Sequence, residues 1–516
     1  MDQNKIFEGT AQDKIRKSAF DLSHTRALSG VMGELIPTCV MECIPGDEFN
    51  IQQENFVRLA PMLAPVMHMI NITTHFFFVP NRIVWDEWED FITGGADGTS
   101  EPLIPSIPAD DAVNLSADPE RKLGDYLGLP SVTNASSTFD VQTLPFRAYQ
   151  KIYNEYYRDQ TLNDEVDLTV LAEILKIRKS SWQKDYFTSA LPFLQRGPEI
   201  GVPIEIEYKD VSEWVRSDTD DDYPTLSFAE TTNPAQIFDD GTISKFRTPD
   251  GAGGWIEARI ENITSALDFT INELRTSSAL QRFLEKQATG GYRYTETLRS
   301  HFNTTAGDAR LDRPEYIGGG KNPVVITEVL SNTETLDSSD NIANPVGELF
   351  GHGVSSGSTI SANYKVEEHG YILGITRVLP ETMYFQGIPK HFLYDDKYDY
   401  AWPVLANLGE QPVLNAEIFY DPTDEAYNNA TFGYQQRYAQ YKFCPSTVHG
   451  DFRDSLKYWH MARDFSSQPA LNGTFVEADP TTRIFNVEDE DHIWVQILNK
   501  VKALRPLPYF SNPQLR

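Results

Sequence analysis

Cysteine is almost missing from this chain. Cys39, Cys43 and Cys444 are the only three in 516 residues, an odd and sparse set that argues against a disulfide framework and suits a reducing compartment. Cys39 and Cys43 stand close together, but a structural zinc site needs four ligands and no second pair lies near them. All three are expected to be buried small hydrophobes. Positive charge is also scarce, with 44 Lys and Arg against 75 Asp and Glu, a formal net charge of −31. Such a chain repels phosphates, so if it encloses nucleic acid, a cationic partner or a local basic face must mediate. Long apolar runs are absent too. The N-terminus, MDQNKIFEGTAQDKIRKSAF, has no signal-peptide core, and the most apolar stretch, His75 to Pro80, is far too short to span a bilayer. These features exclude a membrane protein and place synthesis in the cytosol.

Catalytic motifs are lacking as well. No His-Glu-x-x-His, Walker-type phosphate loop or dinucleotide glycine fingerprint occurs. Gly353-Val354-Ser355-Ser356-Gly357 matches a nucleophile elbow formally, but its flanks GELFGH and STISAN read as a flexible Gly/Ser loop. Gly318-Gly319-Gly320 lacks the Lys-Ser/Thr of a phosphate loop and reads as a turn. In so acidic a chain, carboxylate pairs say little about glycosidase chemistry. The expectation is a protein that is not an enzyme, with no catalytic residue, metal or cofactor.

Aromatic, glycine and proline residues are plentiful, which favours many short strands joined by long turn-rich connections. Pro45-Gly46-Asp47 predicts a turn between extended runs within Leu35 to Ile51. Ile70, Ile72, Thr74, Phe76 and Phe78 alternate along a strand, in which His75 reads as a satisfied strand residue. Further strands are expected over Tyr371 to Val378 and Ile493 to Leu498. Residues 94–140 look like a long excursion. Phe146, Tyr149, Tyr153 and Tyr156 recur at helical spacing, an aromatic stripe expected to pack on a core. The strongest helix signal runs from Thr270 to Thr289, opened by the capping box Thr270-Ile271-Asn272-Glu273 and stopped by Gly290-Gly291. Residues 1–20 form a polar arm whose basic cluster, Lys14, Arg16 and Lys17, could face DNA. From about 208 to 262 the chain turns acidic, small and irregular, with Asp218, Asp220, Asp221, Asp222 and Tyr223 at its head. An EF-hand loop would need glycine where Tyr223 stands, so a solvated surface insertion is the reading.

Ordered segments along nearly the whole chain resemble the major capsid protein of Microviridae, in particular the gokushovirus-like branch. They include HFFFVPNRIVWDEWEDFITGG at 75–95, FRAYQKIYNEYYRDQ at 146–160, KDYFTSALPFLQRG at 184–197, DARLDRPEYIGGG at 308–320, GELFGHGVSSG at 347–357, GYILGITRVLPETMYFQGI at 370–388 and the terminal ALRPLPYF. The resemblance implies a mainly β protein, a single eight-stranded antiparallel jelly roll with long loop insertions and a few short helices, spanning 21–516. It implies self-assembly into a T = 1 icosahedral shell around circular single-stranded DNA, located in the virion after assembly in the bacterial cytoplasm. The partners implied are further copies of the chain, an internal scaffolding protein, a small basic DNA-packaging protein and a host surface receptor met by the 208–262 insertion. Two other classes compete: a receptor-binding β-sandwich of a phage spike, and a β-sandwich carbohydrate hydrolase.

Overall fold

The computed structural model describes residues 17–96, 99–112, 122–130, 139–197, 236–239, 244–249, 255–259, 271–290, 294–305, 307–332, 335–336, 342–344, 346–487 and 490–510. Contacts divide the chain into two compact units, 1–194 with 287–516, and 195–286. The second unit holds a three-stranded antiparallel ladder, Gln236–Asp239, Ser244–Pro249 and Trp255–Arg259. It also holds most of the helix Ile271–Gly290, which meets the expected boundaries to within one residue.

The first unit is mainly β. Its principal strands are β1 (Ser18–Asp21), β2 (His24–Gly30), β3 (Ile36–Cys43), β4 (Glu48–Leu59), β5 (Ile70–Pro80), β6 (Glu315–Pro323), β7 (Val325–Leu330), β8 (Leu349–Ser358), β9 (Ala362–Lys365), β10 (Gly370–Pro380) and β11 (Ile493–Arg505). One sheet runs β1-β11-β4-β8-β7, with β2 also on β11 and β9 also on β4. The other runs β6-β5-β10-β3. Every pairing in both is antiparallel. The expected turn at Gly46, with φ of 91°, carries the chain from one sheet to the other, since β3 and β4 belong to different sheets.

Strict alternation builds the interior. Phe49, Ile51, Val57 and Leu59 of β4 point inward, as do Ile493, Val495, Ile497, Val501 and Ala503 of β11. A polar waist splits this core into two apolar halves. Gln53 and Asn55 interrupt β4, Asn499 interrupts β11, and Thr74 and Thr376 interrupt β5 and β10. Thr376 Oγ1 lies 2.8 Å from Thr74 Oγ1 and 3.2 Å from Thr38 Oγ1, and Asn499 Nδ2 donates to the Thr38 carbonyl at 2.9 Å. Gln53 is 0% exposed, yet among the described residues its amide and that of Asn55 have no hydrogen-bond partner. An unmatched buried amide costs about 1–3 kcal/mol. The substitutions Gln53→Met and Asn55→Leu should therefore each raise the urea midpoint of unfolding, by a stabilisation of about 1–2 kcal/mol. A lower midpoint would mean that internal water satisfies the amides.

The outer face of the four-stranded sheet is covered in its turn. Phe77, Val79, Leu373 and Ile375 pack against Phe146 and Tyr149 of α1 (Leu144–Ile152), with Tyr153 and Tyr156 partly buried beside them. The Tyr149 hydroxyl donates to the Leu35 carbonyl at 2.9 Å, tying the helix to the start of β3.

Three expectations need correction. The Gly353–Gly357 stretch is no loop, because it lies inside β8, paired with β4 on one side and β7 on the other. Gly318–Gly320 is no turn and forms the middle of β6. In β6 neighbouring backbone comes close, since a Cβ on Gly319 would lie 2.3 Å from the Thr74 carbonyl oxygen, whereas in β8 side chains crowd the run, a Cβ on Gly353 falling 2.8 Å from Leu59 Cδ1. Cys444 is exposed, whereas Cys39 and Cys43 are buried as expected. Burial pushes the Cys39 thiol up to about 12.

Candidate assembly surface

Between β10 and β11 the chain builds a satellite core. The antiparallel ladder of Glu410–Leu414 with Thr431–Gln436 encloses Tyr186, Phe187, Tyr384, Val413, Ile418 and Phe475. Two carboxylates, the half-buried Asp185 and the buried Glu417, fix it. Asp185 accepts from the hydroxyls of Thr382 and Tyr384, each at 2.7 Å, and from the backbone N–H groups of Phe187 and Thr188. Burial and the adjacent Asp185 charge push the Tyr384 phenol upward, so it stays a donor. Glu417 accepts from Lys390 Nζ at 2.7 Å, from the Tyr186 hydroxyl at 2.9 Å and from the Leu414 N–H at 2.9 Å. Burial and the Glu417 charge raise the Tyr186 phenol in the same way.

This frame holds apolar side chains in solvent. Phe392, Tyr398, Tyr400, Trp402, Val404 and Leu408 are all exposed, Trp402 by 51% and Val404 by 89%. They are not loose. The Trp402 indole N–H donates to the Lys397 carbonyl at 2.8 Å, and the Tyr394 and Tyr400 rings meet at 5.0 Å. Arg437 donates to the Tyr398 carbonyl and Gln440 to the Tyr394 hydroxyl, which brings exposed Tyr441 alongside. An ordered, exposed, aromatic-rich patch of this composition is the signature of a protein–protein contact. Sequence reasoning passed over it. The density of aromatics in HFLYDDKYDYAW was visible, but exposure is settled by which side chains the satellite core leaves outside.

A second apolar face lies on the solvent side of the larger sheet. Trp494 pairs with Arg58, which in turn pairs with Val354, and Val354 with Val325. The Arg58 guanidinium sits 5.3 Å from the Phe56 ring centre.

The residues picked from sequence for function fall mostly elsewhere. Asp218, Asp220, Asp221, Asp222 and Tyr223, like Lys14 and Arg16, lie outside the described residues. Lys17 is described, and its ammonium pairs with Glu48 at 2.7 Å, a contact that holds the Glu48 carboxyl below its usual range. Among the described residues no helix is long and apolar enough to cross a membrane, and no group of three or more potential metal ligands occurs.

Known proteins match the chain over most of its length. A profile of the family described as capsid protein (F protein) matches residues 10–515. The capsid protein VP1 of Chlamydia phage 1 is 32% identical, covering 97% of this chain and 96% of the relative. The capsid protein VP1 of Bdellovibrio phage phiMH2K is 36% identical, over 89% of this chain and 87% of the relative. That of Spiroplasma virus 4 is 29% identical, over 99% of this chain and 97% of the relative.

Proposed function

The chain belongs to the capsid protein (F protein) family, and on that premise we propose that its copies close into a T = 1 icosahedral shell around circular single-stranded DNA. It is a structural major capsid protein of a Microviridae phage, a component of the virion and not an enzyme. The observation that carries the proposal is the match of a capsid family along almost the entire chain.

The finer reading of the fold is an eight-stranded jelly roll, with β2, β3, β4, β5, β6, β8, β10 and β11 as its strands in order. Support comes from the pairing. The first of these strands lies beside the eighth, the second beside the seventh, the third beside the sixth and the fourth beside the fifth. A long antiparallel ribbon that rolls up on itself produces that order. The two long excursions, from β5 to β6 and from β10 to β11, then leave the same framework and supply the contacts. The aromatic patch at Phe392–Leu408 belongs to the second excursion and serves as an interface between subunits. Contacts in a ring are heterologous, so this patch meets a different surface of its neighbour. The solvent face of the larger sheet, around Trp494 and Phe56, is one such surface.

The acidic insertion at 208–262 belongs to the first excursion and is proposed as the host contact, with Asp218, Asp220, Asp221, Asp222 and Tyr223 at its head. Its composition and its position within the 195–286 unit support this. The arm at 1–20 is proposed to reach the genome through Lys14, Arg16 and Lys17. An internal scaffolding protein and a small basic DNA-packaging protein complete the partners, the latter fitting the net charge of −31.

Negative-stain electron microscopy of the expressed protein, with and without its scaffolding partner, tests the shell. Uniform icosahedral particles are expected, and small discrete oligomers under both conditions would instead favour a receptor-binding module. Removing 210–255 should leave particle formation intact and abolish most attachment to host cells. Loss of particles in that variant would overturn the peripheral placement of the insertion.

A further inference from the structure

Beside the helix that covers the four-stranded sheet lies a cavity of about 320 Å³. Its depth is aromatic. Phe77 is fully buried, with the Tyr156 ring 4.7 Å away and the Tyr316 ring 5.6 Å away. His75 meets Tyr316 edge-on at 5.7 Å, and its Nδ1 lies 2.9 Å from the Tyr157 hydroxyl. Tyr316 is 50% exposed and forms the rim.

Two guanidinium groups reach this cavity, and they differ in kind. Arg313 is neutralised, with Glu155 and Asp308 each at 3.7 Å. Arg377 is not. It projects from β10 over the Tyr157 ring at 5.6 Å, and its Nη1 donates to the Ser180 hydroxyl. Among the described residues no carboxylate lies within ion-pair distance of Arg377, and its Nε has no partner. Desolvation lowers its pKa without removing the charge at neutral pH. A mostly buried cation with no carboxylate partner among the described residues is costly to fold and attracts an anion.

The ligand has to be anionic at one end and flat and apolar at the other. We propose that the cavity receives one nucleotide of the enclosed single-stranded DNA, with a phosphate on Arg377 and the base against Tyr316 and His75. A cavity of this volume is of the size that takes a small ligand, and stacking on aromatic rings with a cation at the backbone is how single strands are held without reading their sequence. His75 is neutral here, because burial pushes it down to about 4, so it offers a ring face and no second charge. The assignment rests on the capsid reading and adds to it the place where the shell grips its genome. Repeated over every copy in the shell, such a contact adds to the grip of the basic arm and of the basic packaging protein.

The test is fluorescence anisotropy of a labelled oligothymidylate with the expressed protein, over a range of salt concentrations. Arg377→Gln should weaken binding about tenfold and lower the slope of log affinity against log salt by about 0.7. Tyr316→Leu, on the exposed rim where folding is safe, should weaken binding about fivefold or more and leave the salt slope unchanged. An abasic deoxyribose-phosphate oligomer should lose the dependence on Tyr316 and keep that on Arg377. Unchanged affinity in both variants would overturn the assignment, as would equal binding of the abasic and thymidylate probes. In filled particles, photocrosslinking from Tyr316 to a neighbouring subunit rather than to DNA would replace the nucleotide by a protein occupant. Particle formation, scored on the same preparations, separates the two claims. Shells with no nucleotide at this cavity sink only the cavity, whereas absence of shells sinks the capsid assignment itself.

Discussion

Trp402→Ala should raise the protein concentration at which particles form by about thirtyfold or more, and leave the unfolding midpoint of the free subunit unchanged. The size follows from what a buried interface tryptophan contributes, about 2 kcal/mol or more on truncation, with each 1.4 kcal/mol a factor of ten in the association constant. Within the subunit the side chain does little. It is half exposed, and its one internal hydrogen bond, from the indole N–H to the Lys397 carbonyl, is itself at the surface. The neighbouring carboxylate anchors lie on the other side of the balance. Asp185 and Glu417 hold the ladder beneath the patch, so their loss would unfold the satellite core and with it the interface. Sedimentation velocity across a concentration series, paired with urea unfolding, distinguishes the two. A variant that assembles at wild-type concentration would remove this patch from the interface, and one with a lowered midpoint would make it part of the subunit's own core.

Mild acid should destabilise the subunit by several kcal/mol between pH 6.5 and pH 4. Burial pushes both His68 and His75 down to about 4, from 6.5 in the open chain. Between those values the unfolded chain binds a proton at each histidine and the folded chain does not. Stability therefore rises with pH across this window. The contribution of each neutral histidine is fully present above 6.5 and is lost as pH falls to about 4. A shift of this size corresponds to about 3 kcal/mol per histidine. His68 accepts the Met461 N–H and sits 2.7 Å from the Glu381 carbonyl oxygen through Nε2, an arrangement that needs the neutral ring. Glu34, Asp47 and Glu315 act in the opposite sense. Burial raises their carboxyl pKa values, so protonation at low pH favours the folded form and offsets part of the loss. The histidine share is isolated by His68→Gln, which preserves a donor and an acceptor. Its urea midpoint should fall less steeply with pH than that of the wild type, by about 3 kcal/mol over the window. Parallel pH profiles would mean that His68 is protonated in the folded subunit.

The strands with the strongest hydrophobic patterns were legible in the amino-acid order. Ile70 to Phe78, Tyr371 to Val378 and Ile493 to Leu498 carry a two-residue period or a continuous apolar run, which local sterics and burial turn into strands whatever surrounds them. The helix Ile271–Gly290 was equally legible from its capping residues and terminal glycines. The family resemblance reached further than periodicity, because it extends over distant segments at once.

Other features depended on contacts between residues far apart in the chain. Gly318–Gly320 and Gly353–Gly357 read locally as turn and loop, yet both are strand, because the first pairs with β5 and the second with β4 and β7, partners distant in the chain. Cys444 is no different in composition from Cys39, and only the packing leaves one outside and the other inside. The polar waist at Gln53, Asn55 and Asn499 required β4 and β11 to be neighbours before it could exist. The cavity at Arg377 drew on β5, on Tyr156 and Tyr157 just after α1, on the segment leading into β6, and on β6 and β10, pieces spread along the chain from His75 to Arg377. Sequence by itself determined the class of protein, the charge and the elements with strong periodicity, since those follow from composition and from neighbours a few residues apart. The tertiary structure alone decided which aromatic side chains stay in solvent and that Arg377 has no carboxylate partner among the described residues, because exposure and pairing belong to the packed assembly of segments and to none of them singly.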